Sequence, residues 1–95
     1  MTVSLVEFTA TWCGPCKIMK PILDGLSADY GVPLRYVDVE VDRDLADRYL
    51  VKSMPTLVVM RDGKEVGRVV GSRPRAFVAG VIDRALAGDV AIACP

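Results

Sequence analysis

The stretch Trp12-Cys13-Gly14-Pro15-Cys16 decides the fold and chemistry expected of this chain. It follows a strand-like apolar run at residues 3–8 and leads into a helix-like run that begins near Cys16. Unpaired N–H groups and the dipole at a helix N-terminus favour a thiolate, which is the nucleophilic form of cysteine. We therefore predict that Cys13 is an exposed attacking thiol. Cys16, shielded within the first turn, is predicted to resolve the mixed disulfide that Cys13 forms.

The two residues between the cysteines suit a strand-to-helix turn that a partner approaches. Gly14 has no Cβ, so another chain can come close to its backbone. Pro15 has no N–H to lose in the first helical turn, and its φ angle is already helical. The spacer is therefore compatible with a dithiol that exchanges with an outside disulfide.

The length and charge of the chain exclude several other classes of protein. Its 95 residues predict one domain at 1–88 and a loosely held tail at 89–95. Zero formal net charge gives no basis for electrostatic binding of nucleic acid, and no apolar run is long enough to span a membrane. No secretory signal is recognisable, so we expect a cytoplasmic location, where a paired C-x-x-C is typically catalytic.

The cysteine and histidine content bears on metal binding. The chain has no histidine and three cysteines, which excludes a Cys₂His₂ site and a Cys₄ site within one chain. A cluster shared between two chains stays open. We expect no metal, and we interpret Cys94 in the tail as a free thiol without a catalytic role.

The remaining pattern predicts alternating strands and helices. Residues 16–30 have apolar positions at helical spacing and end at Gly31, and residues 34–41 alternate as a strand with Val41 on its apolar face. Residues 42–51 form a short helix capped by Asp42, whose apolar stripe includes Leu50.

The second half of the chain predicts a hairpin and a last helix. Strands at 57–60 and 65–70 are joined by the turn signal Asp62-Gly63. Ser72 is predicted to cap the helix that follows, and Gly88 to end it.

The central pentapeptide and its surroundings resemble the thioredoxin family. The turn Met54-Pro55-Thr56 and the segments 62–64 and 70–72 follow in that family's order with similar spacing, from about residue 3 to residue 86. The resemblance implies a minimal α/β thioredoxin fold: a four-stranded mixed sheet of order 2-1-3-4 with helices on both faces. Only two residues precede the first strand, so the family's usual N-terminal strand and helix have no room. Strand 2 is then expected to be an exposed edge.

The resemblance also implies a flat substrate-binding patch beside the sulfurs. Its residues would be Trp12, Gly14, Pro15, Met54, Pro55 and Gly71. Pro55 would follow a cis peptide bond, and the backbone of Met54 would pair with an extended peptide. For Trp12 taken alone, a core aromatic is the alternative interpretation.

Glu7 is the third candidate catalytic residue. It stands where thioredoxins usually have a buried aspartate that takes and returns the proton of the resolving cysteine. An exposed or salt-bridged carboxylate is the alternative. Tyr36 stands where many members have a lysine that partners this carboxylate. We predict a raised pKa for Glu7 and consider a hydrogen bond to it from the Tyr36 hydroxyl. Thr9 stands near the place of the family's second active-site aromatic.

The function that the resemblance implies is reduction of protein disulfides. The protein would bind no cofactor of its own, would act as a monomer, and would receive electrons from a flavin- and NADPH-dependent thioredoxin reductase. Ribonucleotide reductase is one substrate typical of the family. Two alternatives stay open: a thiol oxidase or disulfide isomerase, and a non-enzymatic binding subunit of a larger enzyme.

Overall fold

The structure, a computed structural model, describes residues 2–88. The predicted tail at 89–95, with Cys94, lies outside the described residues. The elements in chain order are β1 (Val3–Thr9), α1 (Gly14–Tyr30), β2 (Leu34–Asp38), α2 (Arg43–Arg48), β3 (Thr56–Arg61), β4 (Lys64–Val70) and α3 (Arg75–Ala87).

The four strands form one mixed sheet in the order β2-β1-β3-β4, which confirms the predicted topology. Strand β1 is parallel to β2 and antiparallel to β3, and β3 is antiparallel to β4. Glu7, in the centre of β1, is in register with Tyr36 on one side and with Leu57 on the other. Because side chains alternate across a sheet, these three residues point to the same face.

Helices cover both faces of the sheet, as predicted. On one face α1 and α3 pack against the strands through an apolar cluster that includes Leu5, Leu23 and Ile82. On the other face α2 packs against a smaller cluster around Phe8 and Val58, with Ala46 as its own buried residue. The period-2 alternation of β1 and β3 supplies both clusters, since each strand contributes successive residues to opposite faces.

The bounds of several elements differ from the prediction, most of all those of α1, β2 and α2. Helix α1 begins at Gly14 because Cys13 is its N-cap. Strand β2 ends at Asp38, and Val41 is 85% exposed, so its predicted place on an apolar face is wrong. Asp42 caps α2 as predicted, but the helix ends at Arg48 and Leu50 is 72% exposed with φ 55°. Both corrections have one cause: the apolar alternation of the sequence continues past the residues that the sheet and helix can cover.

The predicted cap of the last helix is also wrong. Pro74 is the N-cap of α3, and no side chain makes a capping hydrogen bond. Ser72 lies two residues before this N-cap, so its hydroxyl is not placed to accept the first free N–H groups of the helix. Gly88 ends the helix in the left-handed region, as predicted.

The turn between β3 and β4 agrees with the Asp-Gly signal. Asp62 and Gly63 have φ angles of 53° and 81°, the two positive values that a type I′ hairpin turn requires. The Asp62 side chain also accepts a hydrogen bond from the Thr2 N–H at 2.8 Å. Strand β3 runs antiparallel to β1, so the start of β3 lies beside the end of β1. Pro55, just before β3, is therefore at the same end of the sheet as the cysteines that follow β1.

Candidate active site

The two cysteines form a disulfide at the N-terminus of α1. Their Cα atoms are 5.3 Å apart, and the Cys13 Sγ accepts a hydrogen bond from the Cys16 N–H at 3.2 Å. Cys13 is thus the N-cap of a 17-residue helix, with Pro15 in the first turn. An acceptor in this position is stabilised by the helix dipole and by an otherwise unpaired N–H group, and a thiolate would gain from both.

The predicted greater exposure of Cys13 is wrong for the disulfide form, in which both cysteine residues are buried. Cys13 is 4% exposed and Cys16 is 6% exposed. The bonded pair packs against Ala10, Val39 and Met54, which cover both residues. Gly14 and Pro15, which lie between the two cysteines in the chain, are exposed.

The residues predicted to bind substrate lie on three separate segments, one of which contains the disulfide. Trp12 is 64% exposed, so the core-aromatic interpretation is wrong. The Met54–Pro55 peptide bond is cis, as predicted, and Met54 packs against the cysteine cluster. The Gly71 N–H donates to the Pro55 carbonyl at 2.8 Å, which fixes Gly71 next to Pro55. Gly71 has φ +83°, a conformation that residues other than glycine rarely adopt.

The main chain of Met54 is available to an outside partner. Within residues 2–88, neither its N–H nor its carbonyl makes a hydrogen bond. It lies just before β3, whose first ladder residue is Thr56. An extended peptide could therefore add to the sheet at this point through main-chain hydrogen bonds.

A groove of about 240 Å³ adjoins the patch between Trp12 and α2. Trp12 and Met54 line it together with Val39, Ala46 and Val51, and charged side chains stand around it: Glu40, Arg43, Asp47 and Lys52. No sequence pattern indicated this contribution of α2. The helical stripe identified Ala46 as apolar, but the groove exists only because the loop that carries Met54 passes alongside the helix.

Glu7 is buried without a partner on the sheet face covered by α1. Glu7 is 1% exposed, and neither of its carboxyl oxygens has a hydrogen-bond partner among the described residues. Burial raises the pKa of Glu7 from 4.5 to about 8, because the charged form is not solvated there. The alternative of an exposed or salt-bridged carboxylate is therefore wrong, and the predicted direction of the pKa shift is confirmed.

Tyr36 does not supply the hydrogen bond to Glu7 that the sequence suggested. Its hydroxyl donates to Asp24 Oδ1 at 2.6 Å and lies 3.3 Å from the Lys20 carbonyl, and the Lys20 ammonium sits 4.5 Å above its ring. Because the tyrosine side chain is long, its hydroxyl lies beyond Glu7, at the surface of α1. This hydrogen bond, ahead of the nearby Lys20, lowers the pKa of Asp24. Burial and the same hydrogen bond raise the pKa of Tyr36.

A Tyr36→Phe variant tests whether the Tyr36 hydroxyl affects the pKa of Asp24 and leaves the pKa of Glu7 unchanged. The pKa of Asp24 should rise toward its ordinary value, because its largest stabilising contact is lost. The pKa of Glu7 should stay near 8, since burial alone raises it. Carboxyl ¹³C chemical shifts followed against pH would measure both. A fall in the pKa of Glu7 in Tyr36→Phe would contradict the assignment of its shift to burial.

Within residues 2–88, no group of three or more His, Cys, Asp or Glu side chains is arranged to hold a metal ion. No helix in this part of the chain is long and apolar enough to cross a membrane.

A disulfide closed across the first turn of a helix, beside an exposed aromatic and an unpaired main-chain segment, defines a class of protein. Such a site accepts and releases an electron pair by exchanging its disulfide with those of other proteins. The protein is a thiol–disulfide oxidoreductase, and its substrates are proteins that contain disulfides.

Comparison with known proteins agrees with this class and gives the family. The family model described as Thioredoxin matches residues 1–84. A thioredoxin from Staphylococcus aureus is 45% identical over 86 residues, which cover 88% of this chain and 83% of that protein. The chain belongs to the thioredoxin family.

Solved structures of the family superimpose on the described fold. A Fasciola hepatica thioredoxin matches with a TM-score of 0.82 at 36% identity, over 87% of this chain and 80% of that one. A Nicotiana alata thioredoxin matches with a TM-score of 0.79 at 38% identity, over 86% and 72% of the two chains.

Proposed function

We propose that this protein reduces disulfides in other proteins, with Cys13 as nucleophile and Cys16 as resolving thiol. One observation carries the assignment of roles: the Cys13 Sγ is the N-cap acceptor of α1. In the reduced protein, the same N–H group and dipole would stabilise a Cys13 thiolate. Cys16 lies in the first turn of the helix, and its sulfur accepts no hydrogen bond from residues 2–88.

The reaction comprises two exchanges. The Cys13 thiolate attacks one sulfur of the substrate disulfide; that S–S bond breaks, a mixed disulfide forms, and the other substrate sulfur leaves as a thiolate. Cys16 then loses its proton and attacks the Cys13 sulfur. The mixed disulfide breaks, the Cys13–Cys16 bond forms, and the second substrate sulfur leaves as a thiolate that takes a proton from water. The substrate gains two electrons and the protein dithiol loses them.

We assign to Glu7 the role of accepting the Cys16 proton in the second exchange. Support comes from its burial, its lack of any partner within residues 2–88 and a pKa of about 8. A base with this pKa is matched to a thiol near neutral pH, because neither proton transfer direction is strongly uphill.

The substrate would lie across the patch beside the disulfide. Trp12 and the exposed Gly14 and Pro15 offer apolar contact on one side of the sulfurs. Met54 would hydrogen-bond the substrate main chain, and Pro55 and Gly71 would form the floor under it. The hydrogen bond from the Gly71 N–H to the Pro55 carbonyl holds these two residues side by side.

The partners and setting follow the family. A thioredoxin reductase would return electrons to the Cys13–Cys16 disulfide with its own flavin and NADPH, so this chain would bind no cofactor. Ribonucleotide reductase is one candidate substrate. We further propose that the protein acts as a cytoplasmic monomer, with a folded domain at 1–88 and a separate tail at 89–95.

The reduction potential of the Cys13–Cys16 pair tests the direction of the reaction. Trp12 is next to Cys13, so its fluorescence should follow a dithiol redox titration with Cys94 replaced by serine. We expect a reducing potential, roughly −220 mV or below, near that of the cytosolic glutathione pool. A potential near −120 mV, typical of a strong oxidant, would instead favour a thiol oxidase. No reversible transition would leave only a binding role.

A further inference from the structure

A second depression, separate from the groove beside Trp12, lies at Cys16. It is open to solvent, has a volume of about 330 Å³ and shares no lining residue with that groove. Its walls come from the end of β1 with the loop after it, from α1 and from β2, and they include Thr9, Ala10, Cys16, Lys17, Lys20 and Tyr36. None of the residues that we assigned to substrate binding lines it.

The surface of this depression is mostly apolar, although several of its residues are polar. The polar ends of two of them are bonded to a residue outside it: the Tyr36 hydroxyl donates to Asp24 at 2.6 Å, and the Lys20 ammonium pairs with Asp24 at 3.1 Å. The ring of Tyr36 and the methylene groups of Lys20 are the apolar parts of these side chains. Apolar surface in contact with water favours an apolar occupant.

One positive charge at the edge of the depression has no partner in the described part of the chain. Lys17 is exposed, and its ammonium group makes no ion pair or hydrogen bond with residues 2–88. The charge of Lys20, in contrast, is already paired with that of Asp24. The depression therefore combines an apolar surface with one unpaired cation, which fits an occupant that has a carboxylate next to an apolar group.

The depression is within reach of a substrate that reacts at Cys13. Cys16 forms part of its wall, and the Cα atoms of Cys13 and Cys16 are 5.3 Å apart. Ala10 from the depression and Met54 from the groove beside Trp12 pack against the same two cysteines. An extended chain advances about 3.3 Å per residue, so a side chain within about three residues of the substrate cysteine can enter the depression.

We propose that this depression binds an aromatic or large aliphatic side chain of the substrate protein, next to an acidic residue that pairs with Lys17. The inference rests on the proposed function and adds to it a preference for substrate sequence. Large apolar side chains gain most from leaving water, and aromatic rings have the largest such surface. Thr9 is a specificity-determining residue, because it forms part of the wall that the bound side chain contacts.

Short peptide disulfides test this preference. Each probe is a symmetrical disulfide of two identical peptides with one cysteine each. The pair Phe-Asp, Phe-Lys or Ala-Ala stands about two residues from that cysteine, before it in one series and after it in the other. The reduced protein, with Cys94 replaced by serine, is mixed with each probe in a stopped-flow instrument, and Trp12 fluorescence follows the exchange.

The three probes should react at different rates in at least one series. We expect the Phe-Asp probe to react roughly tenfold faster than the Ala-Ala probe, because its ring leaves water on binding. The Phe-Lys probe should be roughly threefold slower than the Phe-Asp probe, and this difference should shrink in high salt, which screens an exposed ion pair. Equal rates for the Phe-Asp and Ala-Ala probes in both series would overturn the proposal.

Two pairs of variants show where the ring and the acidic residue bind, and the ratio of rates within each protein is compared. Thr9→Phe adds a ring to the wall of the depression and should reduce the tenfold ratio to below about twofold. Ser4→Phe adds the same ring to a half-buried position on the opposite face of β1 and should keep the ratio. Should Thr9→Phe fail to fold, Thr9→Leu fills part of the same space.

The charge variants test the second contact. Lys17→Glu should make the Phe-Lys probe faster than the Phe-Asp probe, because the charge beside the bound ring is reversed. Lys64→Glu makes the same change at an exposed residue of the β3–β4 hairpin and should keep the wild-type order of the probes. A tenfold ratio retained in Thr9→Phe would mean that the ring binds elsewhere and would also overturn the proposal.

A trapped complex keeps this test independent of reductase activity. In a Cys16→Ser variant, the Phe-Asp peptide is attached to Cys13 through a chemically activated disulfide. Nuclear Overhauser effects from its phenylalanine ring to the methyl groups of Thr9 and Ala10 would support the proposal, and their absence in both placements would contradict it. Failure of the wild-type protein to reduce any probe would overturn the proposed function, whereas the trapped complex would still report on the depression.

Discussion

A Cys13→Ser variant is expected to lose protein-disulfide reductase activity by roughly a thousandfold or more. A serine at this N-cap position can still cap the helix, but its hydroxyl stays protonated near neutral pH and does not exchange with disulfides. Turnover of a model protein disulfide with a chemical dithiol as electron source would measure the loss. Cys94 is replaced by serine in every variant, so that no third thiol contributes.

The matched variant Cys16→Ser should behave differently. It keeps the attacking thiol and loses the resolving one, so it should complete one exchange and then stop with substrate attached to Cys13. Mass spectrometry of the trapped species would show one substrate chain per protein molecule, released by an added dithiol. Steady-state turnover should be lost here as well, and only the trapped species distinguishes the two variants.

The reverse pattern would exchange the two roles. If Cys13→Ser accumulated the mixed disulfide and Cys16→Ser did not, the helix N-cap would be the resolving position. Binding of a partner protein unchanged by replacement of both cysteines would favour the alternative of a non-enzymatic subunit.

The fold could be predicted from the sequence because the local patterns agreed with the long-range order of the motifs. The continuous apolar run of β1, the Asp62-Gly63 turn and the left-handed ends of helices at Gly31 and Gly88 are local features with few alternatives. The strand order needed the resemblance to the family as well. The sequence of a single strand does not show which other strand it pairs with.

The sequence was less informative where packing decides the outcome. Val41 and Leu50 continue apolar patterns beyond the ends of β2 and α2, and a periodic sequence does not show where its partner surface stops. The hydroxyl of Tyr36 reaches Asp24 because of the distance between β2 and α1, which residue type alone does not give. The space of about 330 Å³ beside Cys16 is likewise lined by residues of β1, α1 and β2, which only the assembled fold brings together.

The second large effect concerns stability and its dependence on pH. The pKa of Glu7 is raised from 4.5 to about 8 on folding, so the folded protein binds more protons than the unfolded chain between these values. Stability should therefore fall as pH rises from about 4.5 to about 8, and stay level on either side as far as this group is concerned. This direction is opposite to that of a salt-bridged carboxylate, whose pKa is lowered on folding.

A Glu7→Gln variant should remove this loss. Its amide has nearly the shape of the protonated carboxyl group but cannot ionise, so the cost of a buried charge disappears. The expected gain in free energy of unfolding is close to zero at pH 4 and roughly 3 kcal/mol at pH 7, reaching roughly 4 to 5 kcal/mol above pH 8. Urea unfolding of the disulfide form at several pH values would measure it, with Trp12 fluorescence as the probe.

The comparison contains its own control at low pH, where wild type and Glu7→Gln are both neutral at this position. Glu40→Gln removes the same charge from an exposed residue and should change stability by no more than a few tenths of a kcal/mol at any pH. A Glu7→Gln variant less stable than wild type at pH 9 would mean that the ionised carboxylate has a partner that stabilises it. In that case Glu7 would be held charged, and could not take the Cys16 proton near neutral pH. Greater stability together with slower resolution would show that the buried carboxyl group reduces stability and serves the reaction.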